Sequence, residues 1–141
     1  MNLPSPSPTL HFILQLAKMQ TVLNRRLDSK LGGIGFSEFI ILYTLSQAEG
    51  QKMRRIDLAE KVGLTASGVT RLLLPMEKIG LIKKETNEHD ARSSFVLIAP
   101  GGKEKLTEGF ERAEIFCEEI LAPAKAKKID SLSELIKDFT I

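Results

Sequence analysis

Residues 64–99 read LTASGVTRLLLPMEKIGLIKKETNEHDARSSFVLIA, and the fold can be worked out from them. Thr65 stands just before an apolar repeat at Val69, Leu72, Leu73, Met76 and Ile79, an N-cap signal followed by helical spacing. Gly80 ends that helix where a left-handed residue is wanted. Residues 81–85 and 94–99 then read as strands, with 87–92 as the turn between them. The remaining segments are arranged around this helix and its charged ribbon.

On a helical wheel, the face opposite the apolar repeat carries Ser67, Thr70, Arg71, Leu74 and Lys78. Small hydroxyls near the N-terminus with an arginine one turn later suit a helix lying in a DNA major groove. The hydroxyls can donate to phosphates or bases, and Arg71 can grip a guanine or a phosphate with two N–H groups. Gly68 removes bulk on the flank, so the helix can approach another surface closely. A solvated helix face is the ordinary alternative. Pro75 predicts a kink or a lost hydrogen bond within the helix, on the C-terminal side of these residues. Leu74 either meets a thymine methyl or packs on a neighbouring helix.

Upstream, residues 55–62 form a further helix with Ile56, Ala59 and Val62 inward, and Gly63 and Leu64 turn the corner. Lys52, Arg54 and Arg55 lie at or just before its start. Cations there oppose the helix dipole, which makes DNA-backbone contact a reason for their placement. Before them comes FSEFIILYTLSQAEG, capped by Ser37 and apolar at Phe39, Ile40, Leu42, Tyr43 and Leu45, followed by a basic loop over 51–54. Helix, tight turn, helix and ribbon make a helix-turn-helix with a wing.

Long helices flank this centre. The first spans roughly 9–31 with Phe12, Leu16, Met19, Leu23 and Leu27 in register and Leu10, Ile13, Leu14 and Val22 widening the stripe. Gly32, Gly33 and Gly35 stop it, and Pro4, Pro6 and Pro8 mark a loose leader ahead of it. After Pro100 a second long helix carries a near-heptad seam of Leu106, Phe110, Ala113, Cys117 and Ile120 until Pro123. A short last helix over 129–139 presents Leu132, Leu135, Ile136 and Phe139. With Leu10, Phe12, Ile13 and Leu121, these residues are the expected homodimer contacts, because the compact centre is too small to cover them.

Composition sets the outer bounds. A chain of 141 residues with 43% apolar and 27% charged residues is expected to be one soluble globular unit. A net charge of only +2 means that DNA binding must come from local clustering. The single cysteine excludes an internal disulfide and points to a reduced, cytoplasmic setting. Neither a signal peptide nor a spanning helix is expected. His11, His89 and Cys117 are too scattered for a metal site, and no nucleophile–base pairing is legible, so neither cofactor nor enzyme activity is expected.

Over nearly its whole length the chain resembles the MarR family of bacterial transcriptional regulators. The resemblance is carried by IDLAEKVGLTASGVTRLLLPMEKIGLIKKE, by DARSS and by the apolar strand running into APGGKEKL. It implies a dimer that binds a pseudo-palindromic double-stranded DNA operator, usually as a repressor and often released by a small ligand. Asp90 and Arg92 occupy the place of the family's wing Asp-x-Arg pair, with Ser93 just after them. Arg92 thereby resembles the residue that reaches the minor groove. Lys83, Lys84, Asn87 and His89 are further wing candidates, and each taken alone also reads as a solvated residue.

The expected fold is therefore mainly α with a small two-stranded β-wing, a winged helix-turn-helix between long dimerisation helices. Residues 1–8 form the leader, 9–35 the N-terminal dimerisation helix and turn, 36–99 the DNA-binding lobe and 100–141 the C-terminal dimerisation helices. Thr65, Ser67, Gly68, Thr70 and Arg71 are the recognition-helix candidates. A small-molecule effector is expected near Leu16, Met19, Leu23, Phe39 and Tyr43, between the long helices and the lobe. Two rivals remain open. One is a winged-helix module that binds protein and not DNA. The other is a cysteine redox sensor, although Glu114, Glu118 and Glu119 around Cys117 disfavour a reactive thiolate.

Overall fold

Stop and start signals divide the chain into segments that the computed structural model describes for residues 1–86 and 94–140. In order they are α1 (Pro8–Asp28), α2 (Phe36–Gln47), a 3-10 turn (Glu49–Gln51), β1 (Lys52–Arg54) and α3 (Arg55–Val62). There follow α4 (Ala66–Lys78), β2 (Ile82–Glu85), β3 (Phe95–Ile98), α5 (Pro100–Ile120), α6 (Pro123–Ala126) and α7 (Ile129–Lys137). The fold is mainly helical with a small antiparallel sheet. The wing-tip candidates Asn87, His89, Asp90, Arg92 and Ser93 lie outside the described residues.

The helix-turn-helix is fixed by two left-handed glycines. Gly63 (φ +75°) closes α3, with its own N–H bonded to the Glu60 carbonyl at 3.2 Å and the Leu64 N–H to that of Ala59 at 2.9 Å. Gly80 (φ +80°) does the same for α4, where the Leu81 N–H reaches the Met76 carbonyl at 2.9 Å. Both are Schellman-type ends, which satisfy carbonyls the helix would otherwise leave unpaired. Between them Thr65 caps α4, its hydroxyl accepting the Gly68 N–H at 3.0 Å. The missing Cβ of Gly68 makes room for that hydroxyl, which would lie 3.1 Å from it.

The expected cap of α2 needs correction. The N-cap is Gly35 rather than Ser37. Gly35 has no side chain to offer, so distant carboxylates serve: Asp28 accepts the Phe36 N–H at 2.7 Å and Glu38 the Gly35 N–H at 3.3 Å. The basic loop over 51–54 is also partly a strand. β1 pairs with β3, which also pairs with β2, giving a three-stranded sheet in the order β1-β3-β2. The two wing strands thus gain a third at their base.

Leu31, Ile34, Ile41, Leu42, Leu45, Leu58, Val69, Leu73, Met76, Ile82, Val96 and Ile98 are buried together under α2, α3, α4 and the sheet. Three inward assignments change. Ile56 is 66% exposed and Leu58 takes the core position, because Ile56 lies in the first turn of α3 on its outer side. Ile79 is 68% exposed as the C-cap residue of α4. On α5 the buried positions are Gly102, Gly109 and Phe116, with Leu106 and Ala113 half-buried. Phe110, Cys117 and Ile120, expected on the same seam, face outward.

Gly102 explains the PGG start of α5. A Cβ there would overlap the Leu81 carbonyl oxygen, so the helix end sits directly against the corner between α4 and β2. The Leu81 carbonyl is bonded there by the Ala99 N–H at 3.0 Å. The long helix is in this way packed against the base of the ribbon.

Candidate nucleic-acid interface

The N-terminal half of α4 presents Ser67 and Arg71 to solvent, with Thr70 half-exposed beside them. The Ser67 and Thr65 hydroxyls share a hydrogen bond of 3.2 Å, so the start of the helix carries a coupled hydroxyl pair. Arg71 has no ion pair among the described residues, which leaves its charge for an outside partner. Pro75 lies exposed inside the unbroken helix, where its missing N–H leaves the Arg71 carbonyl without its usual partner.

Cations from three elements surround this helix, and carboxylates sort them. Lys84 on β2 pairs with Glu77 of α4 at 3.5 Å. Lys52 on β1 pairs with Glu85 at 3.3 Å and lies 4.8 Å above the Phe95 ring. These pairs are exposed, so each contributes little to stability, but each offsets a lysine charge. Arg54 and Arg55 have no carboxylate partner among the described residues, and Lys83 is exposed on β2. Arg55 instead donates from Nη1 to the Thr70 hydroxyl at 3.1 Å. That bond joins α3 to α4 and is invisible in the sequence, because the two residues lie on different helices.

Between α4, the start of α3 and the sheet opens a cleft of about 320 Å³. Ile56 and Leu74 line it, with Arg54, Arg55 and Lys84 around them. Leu74, 49% exposed, thus belongs to the side of this cleft.

The effector candidates divide. Phe39 and Tyr43 belong to an aromatic ladder in which Phe36, Phe39, Tyr43 and Phe110 stack at successive centroid distances of 6.3, 6.4 and 6.3 Å. Tyr43 and Phe110 line a shallow cleft of about 290 Å³. Leu23 packs against the core, whereas Leu16 is half-buried and Met19 exposed on α1.

At the chain ends Phe12 of α1 meets Phe139 beyond α7 with ring centroids 5.7 Å apart. Leu10, Ile13, Leu132, Leu135 and Ile136 remain exposed around that contact, while Leu121 is half-buried. The Cys117 thiol is exposed on α5, and partial burial first and Glu114 second push its pKa up. Among the described residues no cluster of His, Cys, Asp or Glu is gathered for a metal ion, and no helix is long and apolar enough to cross a membrane.

Residues 36–94 match the model of the MarR family. The chain is 25% identical over 122 residues to YdgJ of Bacillus subtilis strain 168, an uncharacterized HTH-type transcriptional regulator, spanning 86% of this chain and 73% of that one. Sco3205, a MarR family transcriptional regulator from Streptomyces coelicolor solved in complex with DNA, shares the fold with a TM-score of 0.73. The identity is 18%, over 98% of this chain and 92% of that one. The PcaV transcriptional regulator of the same organism, solved with its natural ligand, superposes with a TM-score of 0.78 at 19% identity, over 99% and 96% of the two chains.

Proposed function

We infer, from the match of residues 36–94 to the MarR family model, that the chain is a member of that family of winged helix-turn-helix regulators and works as a DNA-binding, homodimeric repressor. Its operator is pseudo-palindromic. Each α4 enters a major groove with Ser67 and Arg71 leading and Thr70 beside them, and Thr65 and Gly68 shape the helix start. Lys52 and Arg54 meet the backbone beside it, and Arg55 faces the DNA from the same helix start. Lys83, Lys84, Asn87, His89, Asp90, Arg92 and Ser93 form the wing that follows the flanking minor groove.

The observation that carries this reading is the exposed Arg71 on a well-capped helix, without an ion pair among the described residues while the neighbouring Lys52 and Lys84 are paired. Leu10, Phe12, Ile13, Leu121, Leu132, Leu135, Ile136 and Phe139 form the dimer contact that sets the spacing of the two recognition helices. A small-molecule effector occupies the region between the long helices and the lobe, along the Phe39–Tyr43 ladder and near Leu16, Met19 and Leu23. It releases DNA by favouring a different separation of the helices, which requires unequal affinity for the two states. PcaV, solved with its natural ligand on the same fold, supports by analogy that a regulator of this shape can hold a small molecule.

Selection from a randomised duplex library tests the reading. The expected product is a two-fold related motif with half-sites about one helical turn apart. Recovery of unrelated sequences, or of nothing, would remove operator recognition and leave the protein-binding module as the better account.

A further inference from the structure

We propose that Thr70 serves DNA recognition as the positioning residue of Arg55, and that Arg55 supplies the sequence preference at that turn of the recognition helix. This deepens the operator-binding reading and rests on it. The Thr70 hydroxyl has one proton, and it is donated to the Ala66 carbonyl at 2.9 Å. Its oxygen also accepts from Arg55 Nη1 at 3.1 Å. Thr70 therefore has no donor left for a base or a phosphate, and what it presents outward is a methyl group and a tethered guanidinium.

The guanidinium is well suited to the task. Five N–H groups lie in one plane and one is used by Thr70, so a bidentate edge remains for guanine O6 and N7. The tether fixes the plane of that edge before DNA arrives, which reduces the rotamer freedom lost on binding. Among the described residues its charge is also free of an ion pair. Glu77 and Glu85 are taken by Lys84 and Lys52, and Arg55 is held by a neutral hydroxyl. Arg55 starts α3 yet lies against the groove-facing row of α4, so one side chain from the first helix extends the reading surface of the second.

The test repeats selection on the randomised duplex library with Arg55→Ala, Thr70→Val, Thr70→Ser and the double variant Arg55→Ala/Thr70→Val. Thr70→Val keeps the shape and branching of the side chain and removes the hydroxyl, and thermal melting by circular dichroism checks that each variant is folded. Wild type should prefer one base pair per half-site that both Arg55→Ala and Thr70→Val cease to discriminate, by roughly ten- to a hundredfold. Thr70→Ser should retain the preference, and the double variant should be no worse than Arg55→Ala alone, as expected for a coupled pair. A Thr70→Val protein that selects the wild-type motif with unchanged affinity would overturn the proposal. So would an Arg55→Ala protein weakened equally on all sequences with a shallower salt dependence, the signature of a phosphate contact. A wild type that selects no motif would instead remove the operator reading, and this proposal with it.

Discussion

The central lobe (α2, α3, α4 and the sheet) and the helices at the chain ends use apolar residues in opposite ways. In the lobe, Leu42, Leu45, Leu58 and Val69 have no accessible surface, and two helix ends, one cap and three strands hold them in place. In the end helices, α1 buries only Leu27 and α7 buries nothing, although Leu132, Leu135, Ile136 and Phe139 recur at helical spacing. An amphipathic helix is stable in water mainly through what its apolar face covers. The lobe closes its core with Leu27, Leu31, Ile34 and Phe116 from the flanking segments, whereas the outer parts of the end helices present a face whose stability depends on a second surface, here assigned to a second copy of the chain.

The sharpest way to break this contrast is a charge at the centre of the exposed face. Leu135→Asp should shift the dimer towards monomer by a hundredfold or more. A buried leucine contributes about 1.5–3 kcal/mol, and two-fold symmetry counts the loss twice. Sedimentation velocity across a dilution series reads the change. An unaltered dimer would place the interface elsewhere.

A smaller effect is expected where α5 packs against the lobe, from Gly102→Ala. The added methyl meets a backbone oxygen held in the α4–β2 corner, so the helix must shift, at a cost of about 1–3 kcal/mol. Urea unfolding of the dimer should show a lower midpoint with the dimer constant unchanged. The pair of variants then separates lobe stability from association.

The smallest effect concerns Cys117, on the outward side of α5. Burial and Glu114 raise its thiol pKa, so the thiolate fraction at any given pH lies below that of an ordinary cysteine. Iodoacetamide labelling should be slow at neutral pH and rise only above the usual cysteine range. Peroxide should release DNA no faster from wild type than from Cys117→Ser.

The same contrast explains what the sequence revealed. Periodicity located α1, α3, α4 and α5 because an amphipathic helix repeats its signal over several turns, and Thr65 and Gly80 marked the ends of α4. β1 was not legible. Three residues, Lys52, Met53 and Arg54, are too few to establish alternation, and their pairing partner Phe95–Leu97 lies far along the chain. The α2 cap was missed because Gly35 carries no capping group and borrows carboxylates from Asp28 and Glu38. The buried edge of α5 was misread because Gly102 and Gly109 pack by allowing close approach, and glycine adds nothing to an apolar repeat. Within the candidate interface, residue types on α4 were readable from the wheel. The ion pairs that occupy Lys52 and Lys84, and the bond from Arg55 to Thr70, depend on tertiary neighbours.

The central claim is that α4 reads an operator through Arg71. Fluorescence anisotropy on the duplex recovered by selection tests it most directly, with a scrambled duplex of equal length as reference and several salt concentrations. Wild type should prefer the selected duplex by about a thousandfold or more, and Arg71→Ala should lose most of that preference while retaining weak, salt-sensitive binding. Equal affinity for both duplexes, unchanged in Arg71→Ala, would contradict the account.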